Sequence, residues 1–309
     1  MSIPNFSGLT LVVPPSALPL SVADVRAHSR ILQTAEDGLI AGYLASAVNS
    51  CEDKCRRAFM PQTWRLTLNM WPGRKPGVGY YEPSNIAEYW KYNRIEIPKP
   101  PLVSIVSFTY MDTSGVSYDM VQSYLPAQGG YQPDFESEPG AVGLPFSGIW
   151  PTTILFPHSA IRITYECGYP AYSGFVNIDA TGAVTWVSGD KFDSSLCGTW
   201  ISVSSLVGGS PPKFLQSGSF NVLSVTDEET MQVVMPYPVA QTAPPIAFPL
   251  TDASWSGNAV PMPIRNAILY LTAHRYENRE PVSVGRAITA IEIPETADAL
   301  LAPYKIAIS

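Results

Sequence analysis

The chain has 309 residues, which is enough for one large domain or two ordinary ones. Only 15% of the residues are charged and 46% are hydrophobic, so we expect partner proteins to cover much of the surface. The formal net charge of −7 is not typical of a protein that binds nucleic acid mainly through its phosphates.

Two helices are predicted near the N-terminus. Ser21 followed three residues later by Asp24 has the spacing of a capping box, and Thr34 with Asp37 repeats it. The second helix is expected to stop at Pro61. Apolar residues recur at helical spacing along one side of it, which predicts a buried face. They are Ile40, Tyr43, Leu44, Ala47, Val48, Cys51, Cys55 and Phe59.

Three stretches further along the chain predict β-strands. Apolar and polar residues alternate in "TWRLTLNMW" (63–71) and in "AIRITYECGYP" (160–170), so each strand should bury one face. Between them, "RIEIPKPPLVSIVSFTYMD" (94–112) predicts a short strand, a proline break and a second strand.

A long loop between residues 72 and 94 interleaves aromatic and basic side chains, among them Tyr81 and Trp90. One interpretation is an arm that packs on a neighbouring subunit, because tyrosine adds contact area at a small entropic cost. The other is contact with DNA, in which aromatic rings stack on bases and cations meet phosphates. The first interpretation is favoured, and both stay open.

The chain changes character between residues 171 and 260, where Gly, Ser, Thr, Val and Pro dominate. Short strands separated by turn residues predict an all-β module of the sandwich or barrel type. The predicted strands are Thr185–Val187, Thr199–Ser204, Ser219–Val225 and Met231–Met235. The module either binds another component or thickens the wall of an assembly. Trp186, Trp200 and Trp255 would stack on sugars in a receptor-binding module, but the favoured interpretation is that they belong to its core.

The stretch "PIRNAILYLTAHRYENRE" predicts a helix over Pro263–Glu280, with Pro263 in its first turn and Pro281 after its end. His274, Arg275, Glu277 and Arg279 gather near its C-terminus. Polar residues of this kind occur in catalytic sites, in metal sites and at helix ends that contact other proteins. The favoured interpretation is a structural or interface role, with the arginines beside the negative end of the helix dipole.

Catalytic and metal sites lack support elsewhere in the sequence. The three histidines, His28, His158 and His274, form no HExxH motif. No GxSxG motif or phosphate-binding glycine loop occurs. The four cysteines fit neither a zinc knuckle nor a disulfide framework and are expected to be buried thiols. We therefore predict no enzymatic activity, no cofactor and no metal, and we expect neither a signal peptide nor a membrane span.

Taken in order, these stretches resemble the head–tail connector (adaptor, or head-completion) proteins of tailed bacteriophages. The matching pieces are "LVVPPSALPLSVADVRAHSRI", "DGLIAGYLASAVNSCEDKCRRAFMPQTWRLTL", "IEIPKPPLVSIVSFTYMD", "AIRITYECGYP", "PIRNAILYLTAHRYENREPVSVG" and "ALLAPYKI". They cover most of residues 10–170 and 261–306. The sequence departs from the family pattern in the long 72–94 loop and in the β module.

The resemblance implies a virion neck protein without catalytic residues, made in the host cytoplasm. Such adaptors form a ring, usually of twelve subunits, below the portal. The ring extends the DNA channel and provides the docking platform for tail or tail-completion (stopper) proteins, while DNA passes without sequence-specific binding. A host-surface or receptor-binding module acting through the β module is the alternative function.

The implied fold class is α+β: a discontinuous adaptor core of a small helical bundle and β-strands, residues 1–170 and 261–309, with the all-β module 171–260 inserted in it. The subunit interface is expected to contain Tyr43, Arg56, Arg57, Tyr81, Trp90, Tyr270, His274, Arg275, Glu277 and Arg279. The C-terminal segment is expected to leave its own subunit and bind the portal. Its contact residues would be Leu300, Leu301, Tyr304, Lys305, Ile306 and Ile308.

Overall fold

The computed structural model describes residues 6–72, 93–123, 130–145, 148–179, 181–207, 214–234, 250–279 and 295–306. The chain is α+β and includes a closed six-stranded β-barrel. It divides into two compact units. The first contains Met1–Ala17, Glu52–Gly168 and Ala302–Ser309, and the second contains Leu18–Cys51 and Tyr169–Leu301.

The first unit is built on a five-stranded antiparallel sheet of order β1-β2-β9-β4-β5 and a four-stranded sheet of order β3-β8-β7-β6. The strands are β1 (Phe6–Val13), β2 (Gln62–Leu68), β3 (Arg94–Glu96), β4 (Leu102–Met111), β5 (Ser117–Asp119), β6 (Val121–Gln122), β7 (Gly130–Asp134), β8 (Ala141–Gly143) and β9 (Ile161–Cys167).

The alternation predicted for the two strands at the centre of this sheet is confirmed. Leu66 on β2 faces Ile163 on β9, and both side chains are fully buried. The charged residues of the same strands, Arg65, Arg162 and Glu166, are exposed, whereas Thr164 is buried. Trp71 stacks on Trp150 in the core with ring centroids 4.7 Å apart. The sheet therefore buries its apolar face, as the period of two requires.

The second unit contains the barrel and most of the helices. The barrel strands are β10 (Ala171–Ile178), β11 (Ala183–Gly189), β12 (Trp200–Val207), β13 (Phe214–Asp227), β14 (Thr230–Val234) and β15 (Leu250–Asn258). They close in the order β10-β11-β14-β13-β12-β15, and every pair is antiparallel. Closure leaves no unpaired sheet edge. Buried apolar side chains from all six strands make up its core.

Four barrel strands agree with the predicted ones, although β11, β12 and β13 are longer. The sequence analysis missed β10 and β15, whose Gly, Ser and Asn residues weaken the strand signal. One pair of glycines explains part of this composition. A Cβ on Gly174 would lie 2.3 Å from the Ser188 carbonyl oxygen, and Gly189 has a φ of +94°. Here β10 and β11 approach too closely for side chains.

The described helices are α1 (Val22–Ser29), α2 (Asp37–Cys55), α3 (Met262–Glu277) and α4 (Glu295–Leu301). The capping box at α1 is confirmed, since the Asp24 amide donates to Ser21 Oγ and Asp24 Oδ2 accepts from the Ser21 amide. On α3, Pro263 lies in the first turn as predicted, and the predicted face of Ile264, Ala267, Ile268 and Leu271 is buried.

Three predicted helix bounds are wrong. Helix α2 begins at Asp37, although the sequence predicted Thr34 as its cap, and it ends at Cys55 rather than at Pro61. The reason for the early end is local, because Arg56 adopts a left-handed φ of +57° that stops the helix. Helix α3 ends at Glu277, three residues before the predicted Glu280, which lies outside the described residues.

The division into units differs from the domain boundaries expected from the sequence. Helices α1, α3, α4 and most of α2 belong to the same unit as the barrel. The discontinuous adaptor core of residues 1–170 and 261–309 stays a prediction. Within the described residues, no helix combines the length and the apolar character needed to span a membrane.

Candidate assembly surfaces

The polar cluster at the end of α3 joins that helix to α2. Arg275 donates from Nη1 to Ser46 Oγ and from Nη2 to Ser50 Oγ, both at 2.8 Å. The two serines are four residues apart and therefore share one face of α2. The planar guanidinium presents two parallel donors to this pair. Arg275, predicted at a subunit interface, makes these contacts inside its own unit.

A second junction forms between α3 and the residue that precedes α2. Glu36 Oε2 accepts hydrogen bonds from the Tyr276 hydroxyl and, at 2.8 Å, from Arg279 Nη2. The Arg279 guanidinium also lies over the Tyr276 ring, 4.7 Å from its centroid. The hydrogen bond from Arg279, followed by that from Tyr276, lowers the pKa of the Glu36 carboxyl. The junction fixes the start of α2 against the end of α3.

His274 and Asn278 form the C-terminal end of α3, with Asn278 as the C-cap residue. Asn278 Nδ2 donates to the His274 carbonyl oxygen at 3.0 Å and lies 3.2 Å from His274 Nδ1. These contacts satisfy acceptors that the last turn of a helix leaves open. The side chain of Glu277 is exposed to solvent. Among the described residues, no three His, Cys, Asp or Glu side chains gather closely enough to hold a metal ion.

Apolar side chains are exposed on the helical part of the second unit. Leu32, in the turn between α1 and α2, is 95% exposed, and Leu39 on α2 is 40% exposed. Tyr270 is 42% exposed and packs edge-to-face on His28, with ring centroids 5.4 Å apart. Tyr43 is half-buried. These side chains are candidates for a contact with another protein chain, because exposed leucine and tyrosine gain most from being covered.

The two arginines after α2 have opposite surroundings. Arg56 is exposed. The side chain of Arg57 is only 6% exposed and forms a bidentate ion pair with Glu138, with Nη1 2.8 Å from Oε1 and Nη2 bonded to Oε2. The Arg57 guanidinium lowers the pKa of the Glu138 carboxyl. Arg57 is buried within its own unit, and its expected place at a subunit interface stays a prediction.

The described part of the C-terminal segment packs on its own subunit, and its expected contact with the portal stays a prediction. Leu301 is 1% exposed at the end of α4, which packs on α3. Beyond it, the Tyr304 carbonyl accepts from Arg57 Nε at 2.6 Å, and the Ile306 amide donates to the Cys55 carbonyl at 3.2 Å. Leu300, Tyr304 and Ile306 are half-buried, while Lys305 is exposed. Leu301 is thus a core residue of its own unit.

Three of the expected contact residues lie outside the described residues: Tyr81, Trp90 and Ile308. The choice between subunit contact and DNA contact for the 72–94 loop therefore stays open, since residues 73–92 lie outside as well.

The barrel tryptophans have three different environments. Trp255 is a core residue, 3% exposed and edge-to-face with Phe192 at 5.3 Å. Trp186 is half-buried, with Lys191 Nζ 4.0 Å from its ring centroid. Trp200 is 38% exposed and lies opposite Asn221 on the outer face of the barrel. The core interpretation is confirmed for Trp255, whereas Trp200 is on the surface.

Comparisons with known proteins give similarity of fold only. Neither a protein-family model nor a curated protein matches the chain. Its fold is similar to that of a chain in the virion of the native gene transfer agent (GTA) particle, with a TM-score of 0.50 and 14% identity over 97% of this chain and 96% of that one. It is also similar to a chain in the neck of the empty GTA particle computed with C6 symmetry, with a TM-score of 0.50 and 14% identity over 98% and 97% of the two chains.

Proposed function

We propose that the chain is a structural protein of the neck of a tailed phage or phage-like particle, and that it forms an adaptor ring below the portal. The observation that carries the proposal is the extent of the fold similarity to a GTA neck chain, which covers 98% of this chain. An alignment of that extent has to include the barrel, residues 171–258, as well as the sheets and helices. The barrel then belongs to the shared architecture.

The ring is supported by the particle of which the similar chain is part. The GTA neck was computed with C6 symmetry, and a ring of six or of twelve copies is compatible with it. The exposed apolar residues of the helical part, including Tyr270, would lie between neighbouring copies. Glu277, another expected interface residue of this unit, is exposed and would take part in the same contacts.

A structural role also agrees with how the polar cluster on α3 is used. Arg275 and Arg279 bond to α2 or to the residue that precedes it. A catalytic constellation would instead converge on a cavity that holds a substrate. The proposed partners are further copies of the chain, the portal and a tail or tail-completion protein, with the exposed residues of the C-terminal segment contacting the portal.

The charge distribution suits a channel through which DNA passes. Between residues 171 and 260 the sequence has seven acidic and two basic side chains, so this stretch contributes −5 of the net −7. An acidic surface repels the phosphates and keeps DNA from adhering. The barrel is therefore the part of the subunit best suited to face passing DNA.

One observation favours a second function, recognition of a host surface by the barrel. Trp200 is 38% exposed in a cross-strand row with Asn221 and Val234. An exposed indole beside an amide is a common way to hold a sugar ring. The alternative predicts that isolated barrel binds host cells or their glycans, and that Trp200→Ala removes the binding.

Electron microscopy of the purified protein mixed with purified portal rings tests the neck proposal. The expected image is a ring of this chain stacked coaxially on the portal. The portal has to be present, because a subunit that is monomeric in solution can still assemble on a template. Images in which the portal never acquires a second ring, at concentrations well above those in an infected cell, would refute the adaptor function.

A further inference from the structure

The end of helix α2 has an open acceptor that the C-terminal segment fills. Arg56, with φ +57°, turns the chain away after Cys55, and the Arg57 amide donates back to the Glu52 carbonyl at 3.1 Å. The Cys55 carbonyl accepts from the Ile306 amide at 3.2 Å. A segment that lies 251 residues later in the chain thus caps the C-terminal end of α2. We refer to residues 302–306 as the tail.

Arg57 holds the tail at a second point, two residues earlier. Its Nε donates to the Tyr304 carbonyl at 2.6 Å, while both Nη atoms bond to the two carboxylate oxygens of Glu138. Glu138 therefore fixes the guanidinium plane, and the plane fixes where Nε points. Lysine has no equivalent fork, so it cannot bond Glu138 at two points and the tail at a third.

Both contacts are hydrogen bonds to the main chain of the tail and not to its side chains. The groups used are the Tyr304 carbonyl and the Ile306 amide. The side chain of Lys305 is exposed, and those of Tyr304 and Ile306 stay partly exposed. An element held by its backbone keeps its side chains available for a partner, as in peptide segments that present their side chains from a fixed main chain.

We propose that Arg57, positioned by Glu138, clamps the tail main chain so that Tyr304, Lys305 and Ile306 are presented as a preformed docking element for the portal. This inference rests on the proposed function. The clamp removes the ordering cost that a flexible tail would meet on binding, and so it strengthens binding without touching the partner. Arg57 is a positioning residue, and its side chain stays inside its own unit.

Acid should weaken the clamp. The Arg57 guanidinium lowers the pKa of Glu138 through their hydrogen bonds, with burial acting in the opposite direction. The stabilising contribution of Glu138 is therefore full above the ordinary pKa of a glutamate and is lost as pH falls through the lowered pKa.

The test compares Arg57→Lys with Arg56→Lys in the full chain. Both keep the charge, and Arg56 is the exposed neighbour. Hydrogen exchange of the Ile306 amide should become roughly tenfold to a hundredfold faster in Arg57→Lys, because one charge-assisted hydrogen bond is lost. Arg56→Lys should exchange like wild type. Glu138→Gln should resemble Arg57→Lys, because it removes the carboxylate that orients the guanidinium.

Binding to purified portal rings gives the second measurement. Arg57→Lys should weaken binding by a similar factor, and because the variant also loses a largely buried ion pair, binding is compared at a temperature where circular dichroism shows both proteins folded. A synthetic peptide of residues 299–309, which has no clamp, should bind the portal more weakly than the full chain. Unchanged exchange at Ile306 would overturn the clamp itself. Faster exchange with tighter portal binding would mean that the contact restrains the tail, and this also overturns the proposal.

The proposed function and the clamp fail in different ways. If neither the wild-type chain nor the peptide binds portal rings, the proposed function is wrong, whereas the exchange measurement still decides whether Arg57 holds the tail. If wild type binds and Arg57→Lys exchanges faster but binds equally well, the tail is not the docking element, and the inference is wrong while the proposed function stands.

Discussion

Leu301 and Leu300 are adjacent and chemically identical, yet they should contribute differently to stability because they are buried to different extents. Leu301 is 1% exposed in the unit that contains α3 and α4, whereas Leu300 is half-buried. Truncating a buried leucine to alanine removes apolar contact and leaves a cavity, at a cost of about 2–5 kcal/mol. Because α4 is short, we expect Leu301→Ala to fall near the lower end, about 2–3 kcal/mol. Leu300→Ala should cost less than about 1.5 kcal/mol, since a partly exposed side chain contributes in proportion to the apolar area it buries.

Urea unfolding followed by circular dichroism at a helix-sensitive wavelength measures this difference, because the described helices lie mostly in the same unit as Leu301. The same reasoning predicts that a chain ending at Asp298 is destabilised more than one ending at Leu301, which keeps the buried Leu301 side chain and loses the tail contacts to Cys55 and Arg57. Equal midpoints for Leu301→Ala and Leu300→Ala would show that α4 does not contribute to the core and would refute the assignment of Leu301 to it.

Three further predictions concern the helix junction and the barrel. Arg275→Met should lower the free energy of unfolding by about 1–3 kcal/mol, because two hydrogen bonds to hydroxyls of α2 are lost. Urea titration measures this loss. An unchanged free energy of unfolding would mean that these bonds are exchanged for equally good ones with water. The pKa of Glu36 is lowered in the folded protein, so its stabilising contribution is present above the unfolded-state pKa and is lost as pH falls through the folded-state pKa. Between pH 5 and about 3, wild type should therefore lose more thermal stability than Glu36→Gln. Melting temperatures that fall in parallel for the two proteins would contradict this. Gly174→Ala should destabilise the barrel by about 2–4 kcal/mol, because its Cβ would meet the Ser188 carbonyl at 2.3 Å. In Gly198→Ala, where φ is +76° and the space is open, only the backbone strain of about 1–2 kcal/mol should be seen, and tryptophan fluorescence during unfolding compares the two.

The sequence by itself determined the elements whose signals are local. The capping box at Ser21 needs only residues within one helical turn, and the strand alternation around Leu66 and Ile163 needs only a buried side. The face of α3 that includes Ile264 follows from helical spacing in the same way. Four strands of the β module were also readable, because each is a short apolar run between turn residues. The α+β class and the presence of an all-β module rest on signals of this kind.

Only the tertiary structure decided which distant residues meet. Strands β10 and β15 are interrupted by Gly, Ser and Asn residues, and their pairing with each other is what closes the barrel. Arg57 and Glu138 are separated by 81 residues, and Arg275 and Ser46 by 229. A charged residue near a helix end has the same local sequence signature whether it faces a neighbouring subunit or a carboxylate of its own unit. The difference lies in the partner that folding brings to it, because the hydrogen bond and the desolvation that decide its role depend on groups far away in the chain.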